Sequence, residues 1–194
     1  MRRIMLLAVL AAFFAPVAAQ DQYAIGSIVK DFKLENVDNS EIALSDYSEG
    51  KGVVLIFSCN TCPYVKAYED RMIALHEKYA PQGFPVVAIN PNDAGRAPGD
   101  SFEKMQERAQ EKNFPFPYLY DPVQEVADAF GAMKTPHVYL LKNTPAGFQI
   151  MYVGAIDDSP MNPEEVNKLY LEDAIGALLN GKLPDPQKTI AVGC

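Results

Sequence analysis

Two cysteines separated by two residues, Cys59 and Cys62, are the residues of this sequence best suited to chemistry. A disulfide across so short a loop restricts the unfolded chain little, so it would stabilise the fold weakly and suits a bond that opens and closes. The thiolate is the nucleophile in thiol-disulfide exchange. The spacing therefore predicts a redox-active pair.

The elements on either side of the pair indicate how it is positioned. Residues 53–57 form a continuous apolar run, which predicts a strand buried on both faces. Residues 62–79 predict a helix, because apolar residues recur there at intervals of three and four: Val65, Tyr68, Met72, Leu75 and Tyr79. Open α/β sheets place their sites where such a strand ends. A helix N-terminus favours a thiolate, so we predict that Cys59 attacks and that Cys62, about one turn further in, resolves the mixed disulfide.

The remaining segments predict an α/β sandwich with a central mixed sheet flanked by helices. Before the middle of the chain they are a hairpin within 26–48 that turns at 38–40, a strand at 85–89, and a helix opened by Asp100 and Glu103 as a capping box. After it they are a strand at 118–120, a short helix with Asp121, Pro122 and Gln124 at its start and Gly131 at its end, strands at 137–141 and 148–153 joined by a turn at 143–147, and a helix over 163–180 with Asn162 and Glu165 as its box and Gly181 as its stop.

The first residues predict export. Arg2 and Arg3 precede an apolar run over residues 4–14 and a set of small residues that ends at Ala19, a pattern typical of a secretory signal peptide. We expect cleavage after Ala19, which leaves one domain over residues 20–194. No later segment approaches the roughly 20 apolar residues that a spanning helix needs. The expected location is the periplasm, with secretion as the alternative, and no membrane insertion follows cleavage.

Charge and cysteine content narrow the classes of partner. The formal net charge of −8 becomes −10 once Arg2 and Arg3 are removed, and residues 20–194 contain no basic cluster. Nucleic acid and anionic membranes are therefore poor partners. Three cysteines are too few for a disulfide scaffold in a chain of this size.

The cysteine pair between strand and helix, together with Thr135-Pro136 just before a late strand, resembles the thioredoxin superfamily. The resemblance implies that Pro136 is cis and lies against the active-site disulfide. It also implies that the backbone of Thr135 pairs with substrate. Asn60 and Thr61, between the two cysteines, complete the expected substrate-binding set.

The hairpin and the additional strand between the second and third helices resemble the redoxin branch, which includes TlpA-like reductases and AhpC/TSA-type proteins. The motifs at 59–64, 89–93 and 154–158 are similar to bacterial peroxiredoxin-like proteins with a CxxC pair, and the similarity covers nearly all of residues 20–194. Two positions depart from the better-known relatives. Val53 stands where thioredoxin has a buried acid, and Ile56 stands where peroxiredoxins have a threonine or serine that binds peroxide.

These observations predict an exported thiol-disulfide oxidoreductase that needs no cofactor. Its substrates would be disulfides or dithiols of proteins or small molecules, and a thiol partner would supply electrons for reduction. A thiol peroxidase is the first alternative. A Sco-like copper carrier is the second, with His137 joining the two thiolates. A zinc site is not expected, because the pair has no two further ligands at suitable spacing.

Several other residues keep more than one interpretation. Cys194 could be an unpaired thiol, a site of intermolecular bonding, or a distant resolving cysteine that reaches back to the pair. Tyr64 could shape the substrate surface or pack inside the protein. His76 is expected to be structural, and Asp157 with Asp158 to cap a turn or the next helix.

Overall fold

A computed structural model describes residues 22–194, so the expected signal peptide over residues 1–19 lies outside the described residues. The strands are β1 (Lys33–Asn36), β2 (Glu41–Ala43), β3 (Gly52–Phe57), β4 (Val86–Asn90), β5 (Tyr118–Tyr120), β6 (His137–Thr144) and β7 (Gly147–Gly154). The α-helices are α1 (Pro63–Tyr79), α2 (Phe102–Lys112), α3 (Glu125–Phe130) and α4 (Tyr170–Leu179).

The seven strands form one mixed sheet in the order β2-β1-β5-β4-β3-β6-β7. Strands β3, β4 and β5 run parallel to one another, whereas all other pairings in the sheet are antiparallel. The expected α/β architecture with a central mixed sheet is confirmed. Both predicted hairpins, β1-β2 and β6-β7, are also confirmed.

Strand β3 lies at the centre of the sheet and is buried along its whole length. Alternate side chains face two separate apolar clusters, because successive residues of a strand point to opposite faces. Val54 and Ile56 join the cluster that packs beneath α1, α2 and α4. Val53, Leu55 and Phe57 join the cluster on the α3 side. The prediction of a strand buried on both faces is confirmed.

Helix α1 begins at Pro63, one residue later than expected, and Cys62 is its N-cap. Proline suits the first helical position because its missing N–H would have no partner there. The predicted apolar stripe is confirmed, since all five of its members are buried. The start of α1 therefore fixes Cys62 against the core.

Two predicted helix starts are wrong. The N-cap of α2 is Ser101, whose hydroxyl accepts the N–H of Lys104, and the carboxylate of Asp100 turns away from this helix. Helix α3 begins after Gln124 rather than after Asp121, although Asp121 Oδ2 still accepts the N–H of Ala127, and its predicted end at Gly131 is confirmed. Asp100 instead accepts backbone N–H groups of a distant loop, whereas Asp121 accepts one from the first turn of α3.

The last predicted helix is wrong over its first half. Residues Pro163–Glu165 form a single 3₁₀ turn, and α4 starts only at Tyr170. Asp158 Oδ1 accepts the N–H groups of Asn167 and Lys168, which holds that stretch out of a helix. Asp158 thus caps a turn, as expected. Within residues 22–194, no helix has both the length and the apolarity that crossing a bilayer requires.

Candidate active site

Cys59 and Cys62 lie in the loop that connects the carboxyl end of β3 to α1. The backbone N–H of Ser58 bonds to Ile89 O at 2.8 Å, which extends the contact between β3 and β4 by one residue. Cys59 and Cys62 are each only 2% exposed and pack together with Val65. The expectation that Cys59 sits at the helix N-terminus is wrong, because α1 begins four residues after it.

A buried carboxylate holds this loop. Asp100 is fully buried, and its Oδ1 accepts the N–H of Asn60 at 2.6 Å and that of Thr61 at 3.1 Å. Its Oδ2 accepts the Thr61 hydroxyl at 2.7 Å and the amide of Asn92 at 2.8 Å. The two backbone N–H groups between the cysteines therefore donate to a side chain from a distant loop. In the sequence, Asp100 and Glu103 have the spacing of a capping box, so the pattern does not indicate this role. The contact joins residues 40 positions apart and is visible only in the three-dimensional structure.

Asn60 points into the protein. Its side-chain amide donates to Gly99 O at 3.0 Å, and its Oδ1 accepts the hydroxyl of Tyr118 at 3.0 Å. Complete burial raises the pKa of Tyr118 well above its ordinary value, and a negative charge on Cys59 would add to this effect. Of the two residues between the cysteines, Thr61 is the exposed one.

Thr135 lies against both sulfur atoms. The peptide bond between Thr135 and Pro136 is cis, as the resemblance implied. The hydroxyl of Thr135 is 3.0 Å from Cys59 Sγ, and its carbonyl oxygen is 3.1 Å from Cys62 Sγ. One residue therefore gives a side-chain contact to the first cysteine and a backbone contact to the second.

Cys62 is joined by a disulfide to Cys194, with the two Cα atoms 6.0 Å apart, and Cys59 is a free thiol. The expected Cys59–Cys62 bond is not the one present. Of the three interpretations of Cys194, the structure shows a bond within the chain. The backbone explains this choice, because Thr135 and Cys194 exchange two hydrogen bonds, each 3.1 Å long, that bring Cys194 to the site.

A cleft of about 380 Å³ opens beside the cysteines. Its walls come from the cysteine loop, the loop after β4, α3 and the segment before β6; they include Thr61, Asn92, Gln124, Met133, Lys134 and Thr135. Met133 is 82% exposed, so an apolar side chain stands at the rim. The cleft has room for a segment of another chain beside the sulfur atoms.

His137 and Tyr64 take structural positions. The His137 ring lies 4.8 Å from that of Tyr139, and burial lowers its pKa to about 4, helped by the charges of Lys134 and Lys188. In residues 22–194, no group of three or more His, Cys, Asp or Glu side chains is arranged to hold a metal ion. Tyr64 is half-buried and packs on the cysteine cluster.

The structure also shows the surroundings of His76, Asp157 and Val53. His76 accepts the N–H of Val86 through Nδ1 at 3.2 Å, a structural role as predicted. Asp157 accepts the N–H of Ser159 in a turn and also the hydroxyl of Tyr68 and the guanidinium of Arg71. Val53 belongs to the apolar cluster on the α3 side, and the buried carboxylate that bonds to the cysteine loop is that of Asp100.

The fold and the site define a redoxin-branch member of the thioredoxin superfamily. The AhpC/TSA family profile matches residues 25–157, and the chain belongs to this family.

Comparison with individual proteins agrees with this. The chain is 33% identical to the thiol-disulfide oxidoreductase ResA of Oceanobacillus iheyensis, over 72% of this chain and 72% of that protein. The structure of an uncharacterised conserved protein from Geobacillus kaustophilus matches with a TM-score of 0.78 and 38% identity, covering 88% of this chain and 89% of that one. A hypothetical protein from Sinorhizobium meliloti matches with a TM-score of 0.81 and 30% identity, covering 90% and 94%.

Proposed function

We propose that this protein is an exported thiol-disulfide oxidoreductase that reduces disulfides of other proteins. One observation carries the proposal: a free thiol, that of Cys59, packs beside a sulfur that is already in a disulfide, that of Cys62. Exchange needs a thiol and a disulfide in contact. Membership in the AhpC/TSA family and the similarity to ResA support the same activity.

Each residue of the site receives a role in this proposal. With Cys59 and Cys62 both reduced, Cys59 attacks a substrate disulfide, while the hydroxyl of Thr135 donates a hydrogen bond to the thiolate. Cys62 then attacks Cys59 Sγ, which releases the reduced substrate. Asp100 keeps the loop fixed during both steps.

A trapping experiment tests the roles of the two cysteines. A variant that carries both Cys62→Ser and Cys194→Ser keeps Cys59 as its one thiol, so it should accumulate mixed disulfides between Cys59 and substrate proteins. The matched control carries Cys59→Ser and Cys194→Ser, keeps Cys62 as its one thiol, and should trap nothing. Equal trapping by both variants would show that Cys59 is not the attacking group.

The direction of exchange has its own measurement. Equilibration with glutathione gives the reduction potential of the site, and a reductase should be more reducing than the glutathione couple. A potential close to that of a strong oxidant such as DsbA, about −120 mV, would contradict reduction and favour oxidation of dithiols.

Export is proposed from the basic and apolar start of the sequence. Expression in a bacterium should give a periplasmic protein whose mass is that of residues 20–194. A cytoplasmic product that keeps residues 1–19 would contradict this part of the proposal.

A further inference from the structure

The segment after α4 is held along the sheet before it reaches the cysteines. Val153 of β7 donates its N–H to Gln187 O and accepts the N–H of Thr189, both at 3.0 Å. The hydroxyl of Thr189 also accepts the N–H of Ala155 at 3.0 Å. Residues 187–189 therefore anchor the final segment, residues 190–194, which we call the tail.

The tail ends in a reciprocal pair of backbone hydrogen bonds with Thr135. Thr135 N donates to Cys194 O, and Cys194 N donates to Thr135 O. This reciprocal pair is the bonding found between directly opposed residues of antiparallel strands. It joins Cys194 to the same backbone of Thr135 that the resemblance to thioredoxins implies for substrate pairing.

Gly193 is fitted to this position. A Cβ atom on Gly193 would lie 2.2 Å from Thr135 O, far inside van der Waals contact with backbone. Only a residue without a side chain allows the tail to approach so closely. Lys134 also holds the tail, since its Nζ donates to Ala191 O at 3.3 Å.

The three cysteines differ in access to solvent. Cys59 and Cys62 are each 2% exposed, whereas Cys194 is exposed. An external thiol therefore meets the tail cysteine more readily than either member of the CxxC pair.

We propose that Cys194 is a third redox-active cysteine, docked on Thr135 as a substrate strand would dock, which takes the disulfide over from Cys59. This proposal rests on the exchange activity proposed above and deepens it. The Cys194 thiolate attacks Cys62 Sγ in a Cys59–Cys62 disulfide. The Cys62–Cys194 bond forms, the Cys59–Cys62 bond breaks, and Cys59 leaves as a thiolate that takes up the proton lost by Cys194.

No external oxidant or reductant takes part in this step. The sulfur of Cys194 is oxidised as that of Cys59 is reduced, so the chain as a whole keeps its oxidation state. The product is the state seen in the structure, with a free Cys59 and a bond that ends at an exposed residue. A dithiol partner then reduces this bond by attack at Cys194.

Disulfide mapping of the full chain tests the relay. The protein is oxidised with diamide, quenched in acid, alkylated with N-ethylmaleimide and analysed by mass spectrometry of its peptides. The expected major species carries the label on Cys59 and a link between Cys62 and Cys194. A Cys59–Cys62 link with label on Cys194 would overturn the proposal.

A variant that keeps all three thiols provides the sharper comparison. Gly193→Val should prevent docking on Thr135 and shift the label to Cys194. The matched control is Gly176→Ala, where an added Cβ has no neighbour within 4 Å and the label should stay on Cys59. A Cys62–Cys194 link that persists in Gly193→Val would overturn the docking role of the tail.

Reduction kinetics separate the relay from the enzymatic function. Oxidised Cys194→Ser should be reduced by dithiothreitol about tenfold more slowly than the oxidised wild type, because both remaining sulfur atoms are buried. Equal rates would contradict the relay. Reduction of a protein disulfide such as that of insulin is measured separately. If the wild type fails to reduce insulin, the proposed function is wrong even where the mapping supports the relay.

Discussion

Asp100 Oδ1 accepts the backbone N–H of Asn60 at 2.6 Å, although the two residues are 40 positions apart in the sequence. The cysteine loop is thus shaped by a carboxylate from the loop before α2. Buried carboxylates of this kind are costly unless every oxygen is bonded, and here both oxygens accept two hydrogen bonds.

Asp100→Asn should destabilise the protein by about 3 kcal/mol, because the new NH₂ group faces donors that need an acceptor. Denaturant unfolding measures the loss. The matched control is Asp70→Asn, whose side chain is 86% exposed and should change stability by less than about 0.5 kcal/mol. Equal stability of Asp100→Asn and the wild type would show that the loop does not depend on this carboxylate.

Thr135→Val should slow exchange through Cys59 by about tenfold, because it removes the hydrogen bond to the charged sulfur. Such a bond contributes about 1.4 kcal/mol, which corresponds to a factor of ten in rate. The backbone bonds of Thr135 to Cys194 are kept in this variant. Stopped-flow reaction with a small aromatic disulfide, on reduced protein, measures the rate. Thr135→Ser keeps the hydroxyl and should restore most of it; a slow serine variant would assign the effect to packing instead.

His137 should make stability depend on pH below neutrality. Its folded pKa of about 4 lies below the ordinary 6.5, so the unfolded chain binds the proton more readily. The stabilisation is fully present above pH 6.5 and is lost as the pH falls toward 4. The loss should approach about 2 kcal/mol, less than the full shift because the ring is only partly buried.

Denaturant midpoints of the wild type and His137→Gln at pH 7.5 and pH 5 measure this effect. The variant should show a smaller decrease, with the remainder due to His76, whose pKa is also lowered by burial, and to the carboxylates. The same decrease in both proteins would mean that His137 does not contribute.

Hydrogen peroxide should oxidise Cys59 no faster than it oxidises free cysteine. Ile56 is fully buried and apolar, so the position where peroxiredoxins bind peroxide carries no hydroxyl. Consumption of peroxide by the reduced protein, followed by stopped-flow, gives the rate. A rate far above that of free cysteine would restore the peroxidase alternative.

The parts of the fold that depend on local pattern could be predicted from the sequence. The buried run of β3 and the apolar stripe of α1 follow from the local sequence pattern, and together they predict the cysteine pair at the carboxyl end of β3. Thr135-Pro136 could be recognised because the dipeptide itself carries the resemblance.

The parts of the fold and the site that depend on distant contacts could not be predicted from the sequence. Asp100 has the sequence signature of a capping residue, and nothing local shows that its carboxylate faces Thr61. The absence of helix before Tyr170 depends on Asp158, ten residues before Lys168. The sequence does not distinguish between the three interpretations of Cys194, because its backbone bonds to Thr135 join residues far apart in the chain.

The bond pattern of Val153 also has a consequence for solubility. Strand β7 is the last strand of the sheet, and residues 187–189 cover part of its outer side by bonding to Val153. An uncovered edge strand offers free N–H and C=O groups to other chains. A chain shortened to end before Gln187 would expose that edge, and we expect it to elute as larger species in size-exclusion chromatography, whereas a chain that lacks only residues 190–194 should elute as the full-length protein does.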